Sequence, residues 1–280
     1  MGPGYDRERT ARVFDEYGDR EWSRHEESPF GRVAFHIHRH YLREYVHAGD
    51  HALEVGAGAG RFTIELAEIG ARITVADISP GQLELNARHI GEAGLEACVV
   101  TRDLADIVDL SRYGDGTFDA VVCYGGPLSF VLDRRDEAFG ELLRVTHPGG
   151  HVLLGVMSLF GSLHAFLPLA DDEIQRFGIE EMQAIVETGF LPDNHSTLGP
   201  THLFTWSRLQ SLIDRHRCTL VASSAANFLS IGNDELCERW LADDPEMWER
   251  FLGWEVTACA QPGAIDTGTH IIAVVWKPES

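Results

Sequence analysis

The sequence is 280 residues long, 44% hydrophobic and 24% charged, which suits a globular protein with a sizeable core. No stretch approaches the ~20 apolar residues of a membrane span, and the charged N-terminus has no apolar signal core, so no membrane partner and a cytoplasmic location are expected. The net charge is −21, with Lys277 the one lysine among 23 basic residues, so no basic patch is visible and nucleic acid is not an expected partner.

Residues 1–48 read as a helical N-terminal extension. Within it, FGRVAFHIHRHYLREYV puts Val33, Ile37 and Tyr41 on one apolar stripe and His36 and His40 four apart on the polar side. That spacing suits two metal ligands, but neither an HExxH nor a third ligand accompanies them, and no metal is expected. From residue 51 strand and helix signals alternate. HALEV (51–55) is a short strand that ends in glycines. A helix over 61–69 places Phe62, Leu66 and Ile69 on one face and stops at Gly70. RITVAD (72–77) is a β-branched second strand. Ser79 then reads as a helix cap, Pro80 as the first helical position and Gln82 as the reciprocal member of a capping box. Leu83, Ala87 and Ile90 continue that helix to Gly91 and Gly94. ACVV (97–100) and DAVVCY (119–124) are the third and fourth strands. A helix follows over 137–145. Pro148-Gly149-Gly150 is a turn, and HVLLGVM (151–157) is the fifth strand. This alternation predicts an α/β fold with a doubly wound, mostly parallel sheet, buried on both faces.

The rhythm breaks at residue 159. Residues 159–204 carry acidic helical pieces and the turn-rich LPDNHSTLGPTH, and read as an inserted cap after strand five. A helix at 205–216, the strand CTLVAS (218–223), a helix at 234–254 and the strand HIIAVVW (270–276) complete seven strands, with 49–280 as the main domain. The acidic runs Asp171-Asp172-Glu173 and Glu180-Glu181 read as solvated faces. The five cysteines are scattered and read as reduced thiols.

Chemistry concentrates in LEVGAGAGRF (53–62). A strand ends, glycines permit a tight turn and close approach of a ligand, and a helix begins. Asp77, at the end of the second strand, can accept both hydroxyls of a ribose. This much fits NAD as well. Two details oppose NAD: Arg61 is bulky where a dinucleotide fold places a small residue, and Glu54 would repel a pyrophosphate but tolerate an ammonium or sulfonium. A P-loop is excluded, because no GK[ST] follows.

Glu54, Gly56, Gly58 and Gly60 resemble the first motif, E/D-x-G-x-G-x-G, of class I S-adenosylmethionine-dependent methyltransferases. In the same order, Asp77 and Ile78 resemble the family's ribose and adenine residues, Asp103 and Leu104 those after the third strand, and FDAVVCYGGPLSFV (118–131), with Tyr124, the fourth-strand motif. LLRVTHPGGHVLLGV (142–156) is similar to the lead into the fifth strand. The resemblance implies S-adenosyl-L-methionine as cofactor, lying across the ends of strands one, two and four. It implies methyl transfer by in-line displacement. The [DN]PP[YF] tetrapeptide of nucleic-acid and protein amide methyltransferases is absent, so the expected acceptor is a small molecule, methylated on O, N, S or C. The N-terminal extension, with Phe14 and Tyr17, and the cap would close over the site, with Tyr17 as gate and His202 as general base, and Asp106 or Asp109 competes with Asp103 as the carboxylate after the third strand. An NAD-type oxidoreductase and a non-catalytic S-adenosylmethionine sensor stay open as alternatives.

Overall fold

The computed structural model describes residues 4–279; the first three residues of the expected N-terminal extension and Ser280 lie outside the described residues. The extension is helical. α1 (Arg7–Tyr17) starts where the Asp6 side chain accepts from the Arg9 N–H, and a short α2 (Arg20–Ser23) follows. α3 (Pro29–Tyr45) opens at Ser28, whose Oγ accepts from the Gly31 N–H at 3.1 Å. It buries Val33, Ile37 and Tyr41 as the stripe predicts, and His38 beside them.

The sheet begins with β1 (His51–Val55), α4 (Arg61–Ile69), β2 (Arg72–Asp77), α5 (Pro80–Glu92) and β3 (Val99–Leu104). It continues through β4 (Phe118–Cys123), a one-turn α6 (Pro127–Phe130), α7 (Arg135–Val145) and β5 (Thr146–Met157). The cap holds α8 (Leu159–Ala165), α9 (Leu167–Phe177), α10 (Ile179–Thr188) and a two-stranded ribbon of β6 (Phe190–Leu191) and β7 (Thr201–His202). α11 (Trp206–Ile213), β8 (Thr219–Ala225), α12 (Asp234–Asp243), α13 (Pro245–Cys259) and β9 (His270–Trp276) complete the chain. The seven strands lie in the order β3-β2-β1-β4-β5-β9-β8, all parallel except β9, which is antiparallel to both neighbours. This is the expected α/β architecture. Among the described residues no helix is long and apolar enough to cross a membrane.

Alternation along each strand feeds two cores. Leu53, Val55, Val121 and Cys123 join α7 and α11 on one face; Ala52, Ile73, Val75 and Ala120 join α3, α4 and α13 on the other. Four local expectations change. The third strand begins two residues late, after a 3-10 turn at Glu96–Cys98, and runs on to Leu104. The fifth begins at Thr146 and takes in the Pro-Gly-Gly segment through an irregular stretch of pairing. The helix over 234–254 is two helices. Pro245 has no N–H to continue α12, and Asp244 caps α13 by accepting from the Met247 N–H at 3.0 Å. The acidic cap residues Glu173 and Glu181 are not merely solvated: both hold the ring of His195, the second at 2.9 Å.

Candidate functional site

β1 pairs with β2 on one side and β4 on the other, so the loops after these strands meet at the switch point of the sheet. A cleft of about 600 Å³, counted with the solvent space at its mouth, opens there. Val55, Gly56 and Gly58 follow β1 into its wall, Asp77 and Ile78 follow β2, Ala105 to Ile107 follow β3, and Gly125 and Pro127 follow β4. Tyr5, Phe14 and Glu21 of the N-terminal segment lie against the opposite side.

The glycines are required by space. Gly56 has φ +68°, and a Cβ there would lie 2.3 Å from Pro127 Cγ; Gly58 has φ +54°, and a Cβ would lie 3.0 Å from Glu21 Cγ. The turn is fastened to β2 through Asp77, whose Oδ2 accepts from the Gly58 N–H at 2.8 Å and Oδ1 from the Ser79 N–H at 2.9 Å. Burial pushes the Asp77 carboxyl up to about 6, against the pull of those N–H groups.

The expected capping box is half made. Ser79 Oγ accepts from the Gln82 N–H at 3.0 Å, but the Gln82 side chain does not return to Ser79. Its Nε2 donates to the carbonyls of Phe14 and Gly18 at 2.9 and 3.0 Å, because α1 packs over α5 and offers them. Gln82 Oε1 is left buried and unpartnered, in a residue that lines the cavity. A buried carboxylate and an orphaned amide oxygen on one cavity wall are acceptors in search of hydroxyl or ammonium donors. Ile78, Ala105, Ile107 and Val131 supply an apolar wall for a purine. The set fits an adenosine-bearing molecule with an amino-acid tail.

Other sequence-predicted residues stand elsewhere. Gly60, at φ +103°, caps α4; a Cβ there would meet Asn86 Nδ2 of α5 at 3.1 Å, so it serves helix packing. Glu54 is outside the cavity lining. It points with Ala52 to the α4 face of β1, where Thr63 Oγ1 donates to its Oε2 at 2.6 Å, and burial pushes it up to about 8. Arg61 does not press on the sheet as its bulk suggested. It turns to the N-terminal segment, donating through Nε to the Trp22 carbonyl at 2.9 Å and stacking over the Trp22 ring at 3.8 Å.

Asp103 accepts from the Tyr113 hydroxyl at 2.8 Å, Leu104 is 49% exposed, and neither lines the cavity. Because β3 runs to Leu104, the first residues past its end are Ala105 and Asp106. Asp106 accepts from the Tyr5 hydroxyl at 2.9 Å and the Val108 N–H at 3.1 Å. Tyr124 is buried against His38 and Phe62 on the α3 side, outside this cavity. Tyr17 lies under the Arg20 guanidinium, 4.7 Å from its ring centre, while Phe14, edge-on to Phe130 at 5.1 Å, is the aromatic over the cavity. His202 packs edge-on against Phe204 in the cap ribbon, apart from the cavity, and burial with the Arg135 and Arg208 charges holds it down to about 3. Phe14 was expected over the site and Asp106 as a competitor of Asp103; Gln82 and Glu21 were missed. Only Gln82 had a local signal, and that signal pointed to a cap.

A family model described as "Methyltransferase domain" matches residues 53–154. A demethylmenaquinone methyltransferase of Clavibacter sepedonicus is 36% identical over 107 residues, 38% of this chain and 41% of that protein. The chain therefore spans less than half the length of that relative. A ubiquinone biosynthesis O-methyltransferase of Nitrosococcus oceani is 28% identical over 63% of this chain and 71% of its own. Among solved structures, the 1,6-didemethyltoxoflavin-N1-methyltransferase of Burkholderia thailandensis, with bound S-adenosylhomocysteine, shares the fold at a TM-score of 0.55 and 16% identity, over 100% of this chain and 93% of that one. Matched span, strand order and a cavity at the switch point agree: residues 53–154 match the methyltransferase-domain family, and the chain around them has the fold of the methyltransferase structure it resembles.

Proposed function

We propose that the protein transfers a methyl group from S-adenosylmethionine to a small-molecule acceptor by direct in-line displacement. The observation that carries this is the cavity at the ends of β1, β2 and β4, with buried Asp77 and the unpartnered Gln82 Oε1 in its wall. The relatives' names, which speak of demethylmenaquinone and of ubiquinone biosynthesis, favour a small acceptor.

The cofactor's sulfonium would supply an electrophilic methyl group. The protein's part is to hold and exclude. Asp77 would take ribose hydroxyls, Gln82 Oε1 would accept a further donor, and Asp106 would be the carboxylate available to a purine amine. The bare backbone at Gly56 and Gly58 admits the amino-acid half, with the Glu21 carboxylate near its ammonium. Phe14 and Tyr5 keep water out.

Calorimetric titration with S-adenosylmethionine, S-adenosylhomocysteine and NAD tests the reading. Both S-adenosyl ligands should bind and NAD should not. Asp77→Ala should weaken S-adenosylhomocysteine by about 2 kcal/mol, roughly thirtyfold, the worth of a hydrogen bond to a charged acceptor. Tight NAD binding, or silence with both S-adenosyl ligands, defeats the proposal.

A further inference from the structure

A second cleft, of about 500 Å³ counted with the solvent space at its mouth, lies beside the first, and Gly125 belongs to the walls of both. His25, His38 and His270 line it with Arg24, Phe30 and Phe62. The three histidines come from the loop before α3, from α3 itself and from the start of β9, so no sequence spacing unites them.

His38 is the informative one. It is 4% exposed, and its Nδ1 lies 2.8 Å from the Ala34 carbonyl oxygen. A carbonyl oxygen only accepts, so Nδ1 carries the hydrogen and Nε2 keeps its lone pair. That Nε2 is buried without a partner. Gly155 leaves it room, since a Cβ there would lie 3.1 Å away. Ring centres of His38 and Phe62 are 5.6 Å apart, of His25 and Phe62 5.7 Å, and of His38 and His270 5.9 Å, so the walls are flat and aromatic. Burial lowers all three imidazoles, His38 to about 4, and they stand neutral. Among the described residues no carboxylate lines the chamber. Arg24, whose Nε donates to Glu21 at 2.8 Å, is its charged member, and its Nη2 would lie 3.4 Å from a Cβ at Gly125, where the two cavities share a wall.

We propose that this chamber receives the methyl acceptor, that the acceptor presents a weakly acidic hydroxyl on a small flat ring, and that His38 Nε2 accepts the hydroxyl hydrogen. The proposal rests on the methyltransferase reading above. Flat aromatic walls select a planar molecule. A neutral lining with one guanidinium disfavours ammonium groups and tolerates an oxyanion. An orphaned buried acceptor weakens the fold until something donates to it, and a hydroxyl does so. In the transfer, the O–H proton passes to Nε2. The freed oxygen pair forms the O–CH3 bond while the C–S bond breaks, and its electrons remain on sulfur as a neutral thioether.

The probe is 4-nitrophenol, whose absorption band shifts when its hydroxyl donates a hydrogen bond. The protein is first loaded with S-adenosylhomocysteine, then titrated with the probe at mildly acidic pH. The wild type should bind it as the neutral phenol, since His38 stands near 4 and leaves the proton on oxygen until a methyl group arrives, and its band should shift. His38→Asn, which keeps a donor for Ala34 but removes Nε2, should weaken the probe at least about tenfold and abolish the band shift, with S-adenosylhomocysteine affinity unchanged. Equal probe binding by His38→Asn, or none by the loaded wild type, overturns the chamber assignment alone. Failure of the wild type to bind S-adenosylhomocysteine overturns the underlying methyltransferase reading. If His38→Asn misfolds, Arg24→Gln decides, since that side chain is 27% exposed and lines the chamber: its probe affinity should fall, and an unchanged affinity overturns the proposal.

Discussion

Replacing Glu54 with glutamine should stabilise the protein as the pH rises. The carboxyl is 3% exposed at the inner end of a hydrogen-bonded relay. Thr63 Oγ1 donates to it at 2.6 Å, Asn86 Nδ2 donates to Thr63 Oγ1 at 2.8 Å, and Arg102 Nε donates to Asn86 Oδ1 at 2.9 Å. Arg102 ends in an ion pair with Glu96, so its charge is spent at the surface and not on Glu54. Burial therefore dominates and raises the carboxyl from 4.5 to about 8; the Thr63 bond opposes the rise and the Asp77 charge adds to it. At ~1.4 kcal/mol per tenfold change in proton affinity, this is worth about 5 kcal/mol. The folded-state value lies above the unfolded one, so folding takes up a proton. The stability is fully present below 4.5 and is lost as the pH rises through about 8. Glutamine keeps an oxygen for Thr63 and carries no charge, so the variant escapes the loss. Urea unfolding of both proteins at about pH 5 and about pH 9 measures it: the variant should gain several kcal/mol on the wild type between the two. Parallel pH profiles, or a variant less stable at alkaline pH, would refute the reasoning. S-adenosylhomocysteine affinity should fall less than in Asp77→Ala, because Glu54 is outside the cavity lining.

Gly56→Ala should cost at least about 2 kcal/mol in urea unfolding, since φ is +68° and the new Cβ would sit 2.3 Å from Pro127 Cγ. The same variant should lose S-adenosylhomocysteine affinity, because Pro127 is itself in the cavity wall. Asp15→Ala should loosen the N-terminal segment. Asp15 Oδ1 accepts from the Ser79 hydroxyl and from the Gly81 N–H at 2.9 Å, at the positive end of α5. Its loss should cost about 1 kcal/mol and speed limited proteolysis before residue 31, and S-adenosylhomocysteine should restore protection.

The legible parts were those that local backbone chemistry dictates. Ser79 followed by Pro80 starts α5 where expected, and the three glycines after β1 all take positive φ. Strand ends were less legible. ACVV and VVTRDL overlap in sequence, both are acceptable strands, and the choice is made by pairing with β2, which aligns Asp77 with Leu104. That small displacement moved the expected cavity residues from Asp103 and Leu104 to Ala105 and Asp106. Glu54 was misdirected although its strand held the answer: alternation puts it on the face of Ala52, not that of Leu53 and Val55. The histidines were the hardest. His36 and His40 have ligand-like spacing yet lie on the outer side of α3, while His38 between them meets Tyr124 just past β4 and His270 of β9, which only the closed sheet brings near.

The N-terminal segment ties the two cavities together. Gln82 holds the carbonyls of Phe14 and Gly18, and Arg61 holds Trp22 by a hydrogen bond and a stacked guanidinium. Within four residues of that chain, Glu21 faces the first cavity while Arg24 and His25 face the second, with Arg24 anchored on Glu21. Ordering a backbone costs about 1–2 kcal/mol per residue, and this stretch repays it with few apolar contacts, Phe14 on Phe130 and Trp22 on His89 among them. A ligand under Glu21 adds to that small balance and so favours the closed arrangement. The same closure sets Arg24 and His25 in place around the second chamber. On the proposed assignment, cofactor binding thus completes the acceptor site, and acceptor affinity should rise when S-adenosylhomocysteine is bound, by the same factor as S-adenosylhomocysteine affinity rises with acceptor.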